Sequence, residues 1–275
     1  MKKKLMVLTL VLALAMSMFM MSACSDNDNN SDSDESKLTG TVTVAAAASL
    51  ENTMVDEIIP LFKKSNPDVE VTGTYDSSGK LQEQIEGGLD AGIFMSAATK
   101  QMDALLQGGF VEGSNVVNIL ENEVVLIKAK GSDTPVTSYE TIGEAERIAI
   151  GDPASVPAGQ YAEEILTNLD IWDDVESKLD LGTNVTEVLN WVAEGSAQVG
   201  IVYKTDAMSL SDKVEVIESA PEESLETSVI YPIGMLNNIA DENKEATKAF
   251  YDFLQTQEAL DIFQNAGFTI VQQVN

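Results

Sequence analysis

Residues 148–166 read IAIGDPASVPAGQYAEEIL, and this stretch decides the fold. Ile148-Ala149-Ile150 is a short apolar run, the habit of a strand covered on both faces. Tyr161, Ile165 and Leu169 then recur four apart, which places them on one face of a helix. Between them lies "GDPASVPAGQYA" (151–162), a bare segment of small residues and prolines that opens the helix. The stretch is therefore strand, exposed junction, helix.

The same unit recurs outward along the chain. Thr41-Val42-Thr43-Val44 reads as a strand, and "VEVTGTY" (69–75) alternates apolar and polar residues as a half-buried strand does. Ile93-Phe94-Met95, Val124-Val125-Leu126-Ile127, Val199-Gly200-Ile201-Val202-Tyr203 and Val214-Glu215-Val216-Ile217 are further apolar runs. Helical stripes lie between them: Leu50, Met54, Ile58 and Phe62; Leu81 and Ile85; Val185, Leu189 and Val192. Phe250, Phe253, Leu254, Ile262 and Phe263 give an amphipathic pair of helices near the end. Pro60 should kink the first helix or end it early. Strands alternating with helices imply an α/β protein with largely parallel sheets. No internal repeat is evident.

Four of the strand-to-helix junctions are bare. They are Ala48-Ser49, Asp76-Ser77-Ser78-Gly79, the 151–162 segment, and Gly182-Thr183-Asn184-Val185. A helix N-terminus leaves N–H groups unpaired and carries partial positive charge, so an anion against several of them is stabilised without lysine or arginine. In α/β sheets such sites fall at the carboxyl ends of strands. Ser, Asp, Thr and Asn are also ordinary N-caps, so the pattern alone serves either reading.

Composition narrows the field. The chain has 16 basic and 45 acidic residues and no histidine. Nucleic acid is an unsuitable partner for so acidic a chain. The absence of histidine removes the usual general base and the commonest transition-metal ligand. Acidity does not exclude a small anion, because salt screens the net charge over about 8–10 Å while close dipoles act within the site.

The beginning reads as a targeting segment. Lys2, Lys3 and Lys4 precede an apolar run from Leu5 to Met21, closed by Ser22-Ala23-Cys24, which is a secretory signal pattern over 1–23. Met21-Ser22-Ala23-Cys24 resembles the lipobox of bacterial lipoproteins, whose cysteine is lipidated, although leucine is commoner where Met21 stands. Cys24 is the single cysteine, so no disulfide forms within the chain. Residues 24–37 are acidic, without apolar residues after Cys24, and read as a disordered tether.

The stretches "TVTVAAAASLENTM", "YDSSGKLQEQIEGG", "IAIGDPASVPAGQYAEEIL", "VGIVYKTDA" and "AFYDFLQTQEALDIFQNAGFTI" together resemble the molybdate-binding proteins of bacterial ABC transporters. "GDPxxVPAGxYA" followed by "GIVYxxDA" is the specific part, and the resemblance runs from about Gly40 to Val271. It implies a two-lobed periplasmic-binding-protein fold of type II, with mixed, mostly parallel sheets flanked by helices and a ligand cleft between the lobes. The first lobe is expected at 38–121 and 229–275, the second at 122–228. Carried over by motif, Ser49 and Ser78 would donate from the first lobe. Ala158 and Val185 would donate backbone N–H groups from the second, and Tyr203 its phenol. Two positions depart from the family pattern: Gly92 and Ala98 stand where acidic residues are common near the cleft.

The expected protein is a lipid-anchored extracytoplasmic receptor, monomeric and not an enzyme. It would capture molybdate or tungstate, need no other cofactor, and pass the anion to a membrane permease. Another tetrahedral oxyanion such as sulfate is the alternative within the fold. A Ser-dependent hydrolase has no histidine for a triad, and Ser78 and Lys80, two apart, do not face each other on a helix. A carboxylate-rich metal site finds only Asp76 and Asp152 at the junctions, and both read as turn or capping residues.

Overall fold

A computed structural model describes residues 37–271. The leader, Cys24 and all but the last residue of the tether lie outside the described residues. Two sheets organise the rest. One is ordered β11-β4-β10-β3-β1-β2 and the other β7-β6-β8-β5-β9. In the first, β1 is Gly40–Ala47, β2 Val69–Asp76, β3 Ile93–Met95, β4 Val111–Asn122, β10 Val229–Leu236 and β11 Thr269–Ile270. In the second, β5 is Val124–Ala129, β6 Ile148–Gly151, β7 Leu179–Gly182, β8 Val199–Tyr203 and β9 Val214–Ser219. Glu123 alone separates β4 from β5, so the chain changes sheets there, and it returns over 220–228.

Two parallel pairings position the junctions. β1 runs beside β2 in a register that sets Ala47 against Asp76, so both strands end level. β6 runs beside β7 with Gly151 against Gly182, and Asp152 N–H donates to the Gly182 carbonyl just beyond. Each sheet thus presents two strand ends, and two helix starts, side by side.

Helices cover the sheets. The first, α1, comprises Glu51–Thr53, a π turn at Met54–Ile58, and Ile59–Ser65. The others are α2 (Ser78–Glu86), α3 (Thr99–Gln107), α4 (Pro157–Asn168), α5 (Trp172–Val175), α6 (Val185–Ala193), α7 (Lys204–Ser209), α8 (Lys244–Phe253) and α9 (Gln257–Asn265). The stripe Leu50, Met54, Ile58 and Phe62 is buried, as its spacing predicts. Phe62 meets Phe250 edge to face with ring centres 4.8 Å apart. Burying each such side chain contributes about 1.5–3 kcal/mol.

Three features differ from the sequence reading. Pro60 does not end α1. Ile59 N–H instead reaches back to the Met54 carbonyl, widening the turn before the proline so that its ring clears the preceding turn. The sheets are less parallel than the alternation of strands and helices suggests, since four of nine pairings are parallel and five antiparallel. The antiparallel ones involve β4, β5, β10 and β11, the strands at and beside the crossings between sheets. Two long strands, β4 and β10, have no clean signature. β4 mixes Gly113, Ser114 and Asn115 into its run, and β10 contains Pro232, which the sheet tolerates through a register shift after Tyr231.

Candidate functional site

The four junctions converge on one void. β1 leads into a 3₁₀ turn, Ala48–Leu50; β2 ends at Asp76, just before Ser77, the N-cap of α2. From the second sheet come the start of α4 after Val156, the start of α6 after Asn184, and Tyr203 at the end of β8. Ser49, Ser78, Ala158, Val185 and Tyr203, the five residues singled out from sequence, all line this void. The space left among them is small. Of the lining residues only Ser49 and Asp76 are half-buried; the rest are buried.

The wall is rich in hydrogen-bond donors. Ser78 Oγ accepts the Ala97 N–H at 3.0 Å, which leaves the Ser78 proton free to donate. Gly159 and Gln160 both turn their N–H groups to the Val156 carbonyl, and Pro157 has none, so Ala158 N–H is the free donor at the start of α4. Val185 N–H is likewise in the first turn of α6, where Asn184 Oδ1 caps Glu187 N–H instead. Two hydroxyls on the wall, Ser77 Oγ and Tyr203 OH, are buried with no hydrogen-bond partner. Each such orphan destabilises by about 1–3 kcal/mol, which an acceptor placed in the void would remove. Tyr75, Tyr139 and Ser132 also carry unpartnered hydroxyls, but none of the three lines the void.

Electrostatics agree. Burial, with the Tyr231 phenol beside it, drives the Tyr203 pKa far above the ordinary tyrosine value, so Tyr203 stays a donor. Behind it, Asp206 accepts the Tyr203 backbone N–H at 3.1 Å. Burial raises Asp206 to about 7, with the hydrogen bond from Tyr203 acting the other way. Asp76 is the one carboxylate on the wall. Its Oδ1 takes the Ser77 N–H at 2.8 Å and the Lys80 ammonium at 3.3 Å, the turn role read from sequence. Asp152 accepts the Ala154 N–H within its own turn. Lys80 therefore pairs with Asp76 and not with Ser78.

Three polar contacts join elements of the first sheet to elements of the second around the void. Gly79 N–H donates to the Ser155 carbonyl at 3.0 Å, Gln101 Nε2 to Gln160 Oε1 at 3.3 Å, and Asn184 Nδ2 to Asp76 Oδ1 at 3.4 Å. A larger groove adjoins Ser49, but Glu51, Asp56, Glu57 and Asp206 line it and disfavour an anion. Among the described residues no group of three or more His, Cys, Asp or Glu is placed to hold a metal ion.

The two family departures resolve differently. Gly92 precedes β3 at the end away from the void, where a Cβ would come within 2.8 Å of Thr247. An acidic side chain there would collide with α8, so this position does not bear on the cleft. Ala98 is the N-cap of α3 and follows Ala97, which does line the void. Sequence reasoning missed Ser77, Ala97 and Val156 on the wall. Ser77 carried a signal, being the other serine of "DSSG"; Ala97 and Val156 carried none.

Comparison with known proteins adds a family. The pattern of the bacterial extracellular solute-binding proteins matches residues 42–269. A putative ABC transporter substrate-binding lipoprotein of Bacillus subtilis is 37% identical over 78% of this chain and 81% of its own. The molybdate-binding protein of Escherichia coli is 37% identical over 81% of this chain and 86% of its own. Among solved structures, the substrate-binding domain of a putative molybdenum ABC transporter from Clostridium difficile superposes with a TM-score of 0.64. It is 35% identical and covers 84% of this chain and 99% of that one.

Proposed function

The chain belongs to the bacterial extracellular solute-binding proteins, and on that premise we propose that it captures molybdate or tungstate and delivers it to an ABC permease. The observation that carries this reading is the buried void whose wall offers the hydroxyls of Ser49, Ser77, Ser78 and Tyr203 beside helix N-termini. Such a wall suits a small, fully deprotonated oxyanion, which needs donors and no acceptor. Hydrogen bonds to a charged group contribute roughly 1.5–3 kcal/mol each. Several together offset desolvation and leave micromolar or tighter binding, about −8 kcal/mol or beyond. The molybdate-binding and molybdenum-transporter relatives favour the same anion class.

The division into lobes at 38–121 with 229–275, and at 122–228, belongs to this proposal, as does closure by a hinge motion. So does attachment through lipidated Cys24, with residues 24–37 as tether and the receptor acting as a monomer without catalysis.

Titration calorimetry of the solubilised chain with molybdate, tungstate and sulfate tests the reading. Tight binding of the first two and negligible heat with sulfate is the expected result. Preferential sulfate binding would keep the oxyanion site and reassign the transporter, because the shorter S–O bond fits a smaller void. No heat with any of the three would remove the oxyanion function.

Ser78→Ala offers a second check. It deletes a donor to the anion and leaves the buried Ala97 N–H without its acceptor. Molybdate affinity should fall by roughly ten-fold or more, and unfolding stability by about 1–3 kcal/mol in a denaturant titration.

A further inference from the structure

A buried chain of hydrogen bonds runs from the crossing between lobes to Ser49. Glu123 N–H donates to Asn122 Oδ1 at 2.9 Å. A backbone N–H can only donate, so the atom facing it is the amide oxygen, and Asn122 Nδ2 must donate elsewhere. It donates to Thr205 Oγ1 at 2.9 Å and to the Tyr231 hydroxyl at 3.2 Å. The Tyr231 hydroxyl lies 2.9 Å from Ser49 Oγ. Tyr231 is fully buried, so its proton needs an acceptor, and Ser49 Oγ is the one within reach. Ser49, receiving that proton, turns its own toward the void.

We propose that Tyr231, oriented by Asn122, is a positioning residue that fixes Ser49 as a donor to the bound anion and so selects fully deprotonated tetrahedral oxyanions over protonated ones. The inference rests on the oxyanion reading above. Direction is the point. Every donor in the chain is set by the one behind it, back to a main-chain N–H that cannot reverse. A protonated oxyanion must place its own O–H against an acceptor, and Ser49 meets it with another proton. Ser78 is held in the same sense by the Ala97 N–H. Sulfate, which is also fully deprotonated, is not excluded by this device and must be sorted by size.

The test compares selenate with arsenate, anions of similar size and the same charge at mildly alkaline pH, where only arsenate keeps a proton. Both are measured by displacement of molybdate. Tyr231→Phe keeps the ring contacts to Tyr203 and Phe268, and Asn122 keeps Thr205. It should shrink the selenate preference by roughly ten-fold. In a double-mutant cycle on molybdate affinity it should add little to Ser49→Ala, because both act on one hydroxyl. Asn122→Asp, which can accept but not donate, should reverse the chain and shift the preference further toward arsenate; it also serves if Tyr231→Phe does not fold. An unchanged preference in whichever variants fold, or additive losses in the cycle, overturns the role of Tyr231 while the oxyanion site stands. A wild-type chain that binds neither molybdate nor tungstate overturns both.

Discussion

Gly79→Ala should lower ligand affinity by roughly 10- to 100-fold while leaving the folded chain as stable as before in the absence of ligand. A Cβ at Gly79 would stand 2.3 Å from the Ser155 carbonyl oxygen and 2.8 Å from its Cα. All three of its nearest neighbours belong to Ser155, which precedes α4 and falls in the other lobe of the proposed division. Backbone cannot swing aside as a side-chain tip can. In the proposed two-lobed receptor the clash exists only when the lobes are together, and it also strains the 3.0 Å bond from Gly79 N–H to that carbonyl. Lobes that separate as proposed would accommodate the methyl group freely and leave the open form untouched. Calorimetry measures the affinity loss, and small-angle scattering at saturating molybdate should show less compaction than in the wild type. An alanine variant that binds and compacts normally would mean that the lobes do not meet through Gly79 and Ser155.

Gly159→Ala carries the larger stability effect, for a related reason with a different reach. Its Cβ would lie 2.0 Å from the Gly151 carbonyl oxygen. Gly151 ends β6 and Gly159 sits in the first turn of α4, so both belong to the same lobe. No separation of lobes relieves this contact; the helix must move off the strand. We expect a loss of about 3 kcal/mol or more in denaturant unfolding, at the upper end for overpacking. The displaced helix start would carry Ala158 N–H with it, so weak binding should accompany the instability even at temperatures where the variant is folded. Stability within about 0.5 kcal/mol of wild type would contradict the tight strand-to-helix approach, since that is the range of surface substitutions far from such features.

These two glycines mark what was legible in the sequence and what was not. The bare junctions, the helical stripes and the short apolar strands could be read directly, because each is a local pattern of period two or 3.6. The candidate residues Ser49, Ser78, Ala158, Val185 and Tyr203 came from motif, and the strand register is what brings them to one void. Nothing in the spacing of 47, 76, 151 and 182 announces that their strands end level. Gly79 looks like any turn glycine until Ser155 is placed opposite it. Tyr231 and Asn122 sit in β10 and β4, the strands with the weakest signatures, and their partners lie 182 and 83 residues away in sequence. Pro60 left a kink or an early end open, because a proline's effect on a helix depends on whether the preceding turn can widen.

The void described above has a kinetic consequence. Its walls are almost wholly buried, with only Ser49 and Asp76 half-buried. In the proposed two-lobed receptor an occupant leaves when the lobes part, so its residence time is set by the waiting time for that opening. Domain motions of this kind run in microseconds to milliseconds when unopposed, and each bond to the occupant slows the opening further. Tight capture and prompt unloading are then in conflict within the isolated receptor. A transporter that grips both lobes and holds them apart would resolve it by shortening the wait, with no need to reach the anion itself.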